Sequence, residues 1–463
     1  MLKTKPQRAE RAVAEEPRRL ATETKSAARP RLGAYWSISS KFAVVIAFAL
    51  AWMTLSAYLG WPWILELAHF APLPVAIVTV SLVALVPGFM SAFLVASLII
   101  DRRPRHFKLD FYPPISVLIA AFNEEQSILE TVHNVLDCKY LGVVEVIVID
   151  DGSTDATADL LQGFVGTNLR VIRAAHGGKS SALNIGLAAA KFKTIVTLDA
   201  DTLLFHDALT RIVERLLSDP PGTIAVAGAI LVRNSRENWI TRIQEWDYFL
   251  GIAAVKRAQS LFQGTLVAQG AFSIYKKKAL VAAGGWPDCV GEDIVLTWAM
   301  LESGGRIGYA EDAVAFTNVP IDYLGFFKQR QRWSRGLIEA FARHPKLLLT
   351  PRLSVMFIYW NLLFPVLDLV YILIFVPGVI AALFGFYLIA GPPTLIILPL
   401  ALAVNFCMFR AQRPMLHSQH LIVRHNYAGF IFYMLFYGLL MQPAAIVGYF
   451  SEVFGVRRSW GTK

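Results

Sequence analysis

The stretch LDADT at Leu198–Thr202 decides the reading of this chain. It closes the run TIVTLDAD, whose β-branched residues predict a buried strand that delivers Asp199 and Asp201 at its carboxyl end. Upstream, VIVIDDGSTDAT at Val146–Thr157 is a second apolar run ending in acids. Downstream lie GEDIVLTW at Gly291–Trp298 and QRQRW at Gln329–Trp333. The runs ISVLIAAF, VEVIVIDD, LRVIRA and TIVTLDAD alternate with helical stretches at Glu124–Leu136, Ala156–Phe164 and Ser180–Ala190. Such βαβ alternation predicts a doubly wound α/β sheet, and ligands of these sheets gather at the carboxyl ends of the strands. Asp150, Asp151, Asp199 and Asp201 all fall at such ends.

Composition places this sheet in an apolar setting. Of 463 residues, 55% are hydrophobic, and the mean hydropathy of +0.49 is too high for an ordinary soluble domain. Phe42–Leu65 and Phe70–Ile100 contain no charged residue. A helix crosses a bilayer with roughly 20 apolar residues, so each can span once. Leu353–Phe409 carries the single charge Asp368 in 57 residues, enough for two spans and barely for three. Arg410–His425 is polar and basic, and Tyr427–Met441 is apolar for only 15 residues before Pro443. An interfacial or re-entrant helix is expected there, with six spans as the alternative.

The net charge is +10. Much of the excess flanks the apolar runs, as expected of loops held on the cytoplasmic side. The basic residues do not alternate with aromatics on a soluble face, which argues against nucleic-acid binding. Three widely spaced cysteines, Cys138, Cys289 and Cys407, suggest neither a disulfide framework nor a zinc site. Residues 1–35 lack the apolar core of a cleaved signal and read as a cytoplasmic tail.

Each motif has a chemical reading. Asp199 and Asp201 can share Mg²⁺ or Mn²⁺, hard cations that bridge protein carboxylates to phosphate oxygens. Asp150 or Asp151 can accept an N–H of a bound base, while Gly152 lets backbone approach a ligand. HGGKSSALN at His176–Asn184 suggests a phosphate loop, but Arg173 stands where the earlier glycine is required, which rejects a nucleotide triphosphatase. Lys179 at a helix start remains suited to phosphate. Asp293, beside Glu292, is the candidate general base for an attacking hydroxyl. Arg332 suits a diphosphate through charge-assisted hydrogen bonds. Trp333 suits stacking on a flat apolar ligand face, and Gln329 suits a hydrogen bond beside it. QRQRW itself lies on a cationic amphipathic helix expected at the membrane interface.

The series Asp-Asp-Gly, Asp-x-Asp, Glu-Asp and Gln-x-x-Arg-Trp resembles the processive, membrane-embedded family 2 glycosyltransferases, over roughly residues 113–345. That resemblance implies a GT-A fold and inverting transfer from a UDP-sugar to a growing polysaccharide. VAQGAFSIYKKKALVAAGGW at Val267–Trp286 and the following WPDCVGEDI look most like the N-acetylglucosamine-polymerising branch. That branch holds poly-N-acetylglucosamine synthases and Nod-factor chitooligosaccharide synthases, with hyaluronan synthases nearby. The terminal SWGTK is similar to a gating segment of hyaluronan and chitin synthases, so Trp460, Thr462 and Lys463 would cover UDP. Three residues depart from the family pattern: Ala120 for Pro, Gly291 for Thr and Lys463 for Arg. Gly291 is expected to loosen the acceptor side. The lack of a regulatory domain after the last apolar segment weighs against a cellulose synthase.

The organisation expected is then a disordered basic cytoplasmic tail (1–40), two transmembrane helices (41–101) and a cytoplasmic GT-A domain (112–345) with an interfacial helix at 322–343. Two or three transmembrane helices follow (353–410), then an interfacial or membrane segment with the gating residues (426–463). The partners implied are membrane lipids, the nucleotide-sugar, the acceptor chain and a small membrane subunit. Rival readings are transfer of one sugar to a lipid acceptor, a glucan synthase using UDP-glucose, and an inactive transporter or scaffold.

Overall fold

The computed structural model describes residues 36–102, 107–161, 168–391, 394–395, 397–421 and 425–456. Most of the expected tail and the gating residues Trp460, Thr462 and Lys463 lie outside the described residues.

Eight strands form one sheet: β1 (Ile115–Ala121), β2 (Val144–Asp150), β3 (Leu169–Arg173), β4 (Thr194–Asp199), β5 (Leu203–Leu204), β6 (Thr223–Val232), β7 (Phe272–Lys276) and β8 (Arg306–Thr317). Their order is β3-β2-β1-β4-β7-β6-β8-β5. The first four are the strands expected from the sequence, and they pair in parallel. Their pleat buries both faces. Val117, Ile119, Val146 and Val148 pack with Ile128, Val132 and Val135 of one helix. Leu118, Ile147 and Ile149 pack on the opposite face with Ala182, Leu183 and Leu187 of another. Helices on both faces are what continuous apolar strands require. The far half of the sheet departs from a purely parallel pattern, because β7 pairs antiparallel with both β4 and β6.

Register places the acids. In β1, Ala121 is the partner of Asp150 and Ala120 the partner of Asp199. Two acidic strand ends therefore flank the end of β1, whose last residues are small.

Four helices among the described residues are long and apolar enough to cross a membrane: Ile38–Leu67, Leu73–Ile100, Val355–Leu383 and Tyr427–Val453. Their apolar windows are only 11–17% buried within the protein. A core helix would bury its apolar residues against protein, so these surfaces need another apolar medium, and a bilayer supplies it. The expected break at Pro443 does not occur. The helix runs unbroken for 27 residues with Pro443 inside it, so the segment has the length of a full span. A proline removes one backbone hydrogen bond, and packing by neighbouring helices offsets that loss. A further helix, Ile397–Ser418, continues from apolar residues into the basic stretch with Arg410 and Arg413.

The helix expected at 322–343 is Tyr323–Arg343, capped by the Asp322 carboxylate, which accepts the Gly325 N–H at 2.9 Å. It is more than a surface helix. Arg330, Arg335 and Glu339 on it are buried, and the helix lies between the sheet domain and Tyr427–Val453. Arg335 bonds Glu452 at 3.0 Å and the Val456 carbonyl at 2.8 Å. A Cβ on Gly448 would sit 2.5 Å from the Gln331 carbonyl oxygen, so backbone meets backbone at this crossing.

Candidate active site

The carboxyl ends of β2 and β4 and the start of helix Lys179–Ala189 converge on one cleft. Asp151 organises its first wall. Its two oxygens accept the Gly177 and Gly178 N–H groups, each at 2.9 Å, and His176 Nδ1 lies 3.0 Å away. The carboxylate thus holds the loop that presents Lys179, with lone pairs left for a further donor. Asp150 Oδ1 accepts the Ser153 N–H at 3.1 Å and closes the Gly152 turn, where φ is +74°. The rings of Phe122 and His176 stack at 4.3 Å beside this loop. A cavity of about 220 Å³ is lined by His176–Ser180 and Asp288.

Lys179 links the motifs. Its ammonium bonds Asp199 Oδ1 and stands 3.8 Å from Glu292 Oε1. Burial opposes its charge, but the Asp199 and Glu292 carboxylates outweigh that and hold its pKa above the ordinary lysine value. Gly270, from the quoted VAQGAF run, makes room for it: a Cβ there would lie 2.8 Å from the ammonium.

The acids are crowded. Burial, then the charges of Asp199 and Glu124, push Asp201 up to about 6. Burial, then Asp293, push Glu292 up to about 7, against the pull of Lys179 and Arg332. Such crowding stores negative potential that a cation would relieve. Among the described residues no group of three His, Cys, Asp or Glu side chains forms a ready metal cage. Asp199 and Asp201 would therefore supply two ligands and leave the rest to phosphate and water, the usual arrangement for Mg²⁺.

Asp293 sits in the first turn of helix Glu292–Glu302, where its Oδ1 accepts the Ile294 N–H at 2.7 Å. Arg332 acts electrostatically on both Glu292 and Lys179, so the helix carrying QRQRW reaches the acidic cluster. Trp333 remains 39% exposed, and Gln329 is half-buried on the same helix.

The sequence reading missed three side chains. Arg330 pairs with buried Asp247 at 2.9 Å and lies 4.0 Å above the Trp333 ring. Lys256 is buried, and burial pulls it down to about 7 against the opposing field of Asp293. Glu339 accepts the Val290 and Gly291 N–H groups. Arg330 was visible within QRQRW but stands at a variable position of the motif. The other two have no local signal.

Residues 116–282 match the family described as glycosyl transferase family 2. This α/β region, with its acidic strand ends, is thus similar in sequence to the family 2 glycosyltransferase domain. The chain is 34% identical over 247 residues to poly-beta-1,6-N-acetyl-D-glucosamine synthase of Staphylococcus aureus, covering 53% of this chain and 59% of the relative. It is 34% identical over 236 residues to the Staphylococcus epidermidis enzyme of the same name, covering 50% and 56%. The chain thus spans a little over half the length of these relatives. Its fold is similar to that of the mannosyltransferase PcManGT from Pyrobaculum calidifontis, in complex with GDP-Man and Mn2+. That match has a TM-score of 0.52 and 17% identity, covering 91% of this chain and all of the other.

Proposed function

We propose that this chain is a membrane-bound, inverting β-glycosyltransferase that polymerises N-acetylglucosamine from UDP-N-acetylglucosamine and passes the product across the membrane. One observation carries this: Asp199, Lys179 and Glu292 meet in a single cluster, and the helix that brings Arg332 to that cluster is packed against a helix long enough to cross a bilayer. Donor chemistry and a route into the membrane thus share one element. The resemblance to staphylococcal synthases supports the choice of sugar.

Asp293 accepts the proton of the acceptor hydroxyl as that oxygen attacks the anomeric carbon. Arg332 and Lys179 bind the diphosphate and stabilise the charge that grows on it as the glycosidic bond to UDP breaks. A divalent cation held by Asp199 and Asp201 would add Lewis-acid stabilisation of the same leaving group. Asp150 or Asp151 and the Phe122–His176 pair offer polar and flat surfaces to uracil. Trp333 stacks on the acceptor, and Gln329 orients its end. The gating residues Trp460, Thr462 and Lys463 would close over UDP. Support for this comes from Val456, four residues before Trp460, which Arg335 ties to the QRQRW helix. The reading places the protein in the cell membrane with the catalytic domain facing the cytoplasm, with lipids and a small membrane subunit as further partners.

The test is UDP release by lipid-reconstituted protein offered UDP-N-acetylglucosamine, UDP-glucose or UDP-glucuronate, singly and in pairs, with Mg²⁺ or Mn²⁺. Turnover with UDP-N-acetylglucosamine alone, a ladder of products, and no turnover in Asp293→Asn are expected. Turnover only with UDP-glucose would make it a glucan synthase. A single addition to lipid would refute processivity.

A further inference from the structure

The helix Tyr323–Arg343 turns one face toward the segment that ends in Glu292 and Asp293. Arg332, Gly336, Glu339 and Arg343 follow the i, i+4, i+7, i+11 spacing of a single helical face. Each touches that segment or acts on it. Arg332 acts on Glu292. Gly336 meets Gly291 so closely that a Cβ on Gly291 would lie 2.4 Å from the Gly336 Cα. Arg343 Nη2 donates to the Asp288 carbonyl at 3.2 Å. Glu339 is 3% exposed, and its two oxygens accept the Val290 N–H at 3.2 Å and the Gly291 N–H at 2.8 Å.

The helix that starts at Glu292 has Gly291 at its N-cap, a residue with no side chain to offer its amides. A carboxylate from another helix fixes the chain just ahead of this helix start, bonded to the Val290 and Gly291 amides. Hydrogen bonds to an ionised buried carboxylate are among the stronger ones in proteins.

We infer that Glu339 is a positioning residue for transfer: it joins the segment carrying Asp293 to the helix carrying Arg332, and so holds the base in register with the diphosphate-binding arginine. The inference rests on the roles proposed above for Asp293 and Arg332. The bland alternative is that Glu339 only stabilises the fold. The two differ in consequence. A tether between base and arginine governs the geometry of the chemical step and leaves the donor pocket at His176–Lys179 intact. A general stabiliser lowers every property together. The same contact explains Gly291: a side chain there would collide with Gly336, so the glycine permits this close packing.

The test compares Glu339→Gln and Glu339→Asp with the parent in the full-length, lipid-reconstituted protein. UDP affinity, turnover of UDP-N-acetylglucosamine, thermal midpoint and hydrogen exchange of the Val290 and Gly291 amides are measured for each. In Glu339→Gln the amide group replaces one acceptor with a donor. Exchange at these two amides should then quicken at least tenfold, and kcat should fall on the order of 10²-fold, the scale of an ångström-sized misplacement. UDP affinity should fall much less than kcat, since the phosphate loop that presents Lys179 is untouched. Glu339→Asp should recover part of kcat. Unchanged amide exchange, unchanged kcat, or a loss of UDP affinity parallel to kcat would each overturn the inference. Exchange does not depend on turnover, so it judges the tether even for a silent enzyme. Activity persisting in Asp293→Asn would instead strike down the parent reading.

Discussion

At the scale of single residues, the site is governed by how charges are paired once water is excluded. Arg330 and Asp247 show the stakes. Both are buried, and the guanidinium also faces the Trp333 ring. Removing one partner of a buried pair leaves the other charge uncompensated, at a cost of about 3–5 kcal/mol, whereas removing both is far less damaging. Arg330→Met should therefore lower the thermal midpoint sharply and raise the KM for acceptor, because Trp333 loses the cation that holds its ring. The double variant Arg330→Met/Asp247→Asn should regain most of the stability but not the acceptor KM. Equal recovery of both would show that Arg330 has no part in holding Trp333.

Glu292 supplies a pH signature at the same scale. Its pKa is raised to about 7, so the group is protonated below that pH and ionised above it. Ionised Glu292 pairs with Lys179 and adds to the negative field that favours proton transfer to its neighbour Asp293. Turnover should consequently rise as pH increases from 6 to 8, with an inflection near 7. Glu292→Gln should flatten that limb while leaving residual activity. A pH profile identical in the variant would assign the inflection to another group, Lys256 being the first to examine.

At the scale of elements, the helix Tyr323–Arg343 unites three tasks. It carries QRQRW, it grips the segment before Glu292 through Gly336 and Glu339, and it packs on Tyr427–Val453. The Gly448 crossing is where the last of these is most sensitive, since a Cβ there meets the Gln331 carbonyl at 2.5 Å and Ser334 Cβ at 2.8 Å. Gly448→Ala should cost about 1–3 kcal/mol, the usual penalty of overpacking. It should also reduce turnover, because the displaced helix takes Arg332 with it. Chemical unfolding and UDP release on the same preparation would check this, and native turnover in a destabilised variant would uncouple the helix from catalysis.

At the scale of the whole molecule, one part of the architecture could be read along the chain and another could not. The four parallel strands, the acids at their ends and the first two long apolar helices were legible because each is a local pattern. Buried strands need unbroken β-branched runs, side chains alternate with period two, and a bilayer demands about 20 apolar residues. The acidic and basic motifs were legible for the same reason, each being a few contiguous residues. The antiparallel ladder of β7 with β4 and β6, the meeting of Lys179 with both Asp199 and Glu292, and the grip of Glu339 on Gly291 were not. Nor was the passage of Tyr427–Val453 through Pro443, where local sequence argues for a break and the adjoining helix overrides it. The sequence alone determined what each candidate group can do, since charge and hydrogen-bonding capacity belong to the residue. Only the tertiary structure decided which of them touch, because burial and pairing depend on what distant parts of the chain bring alongside.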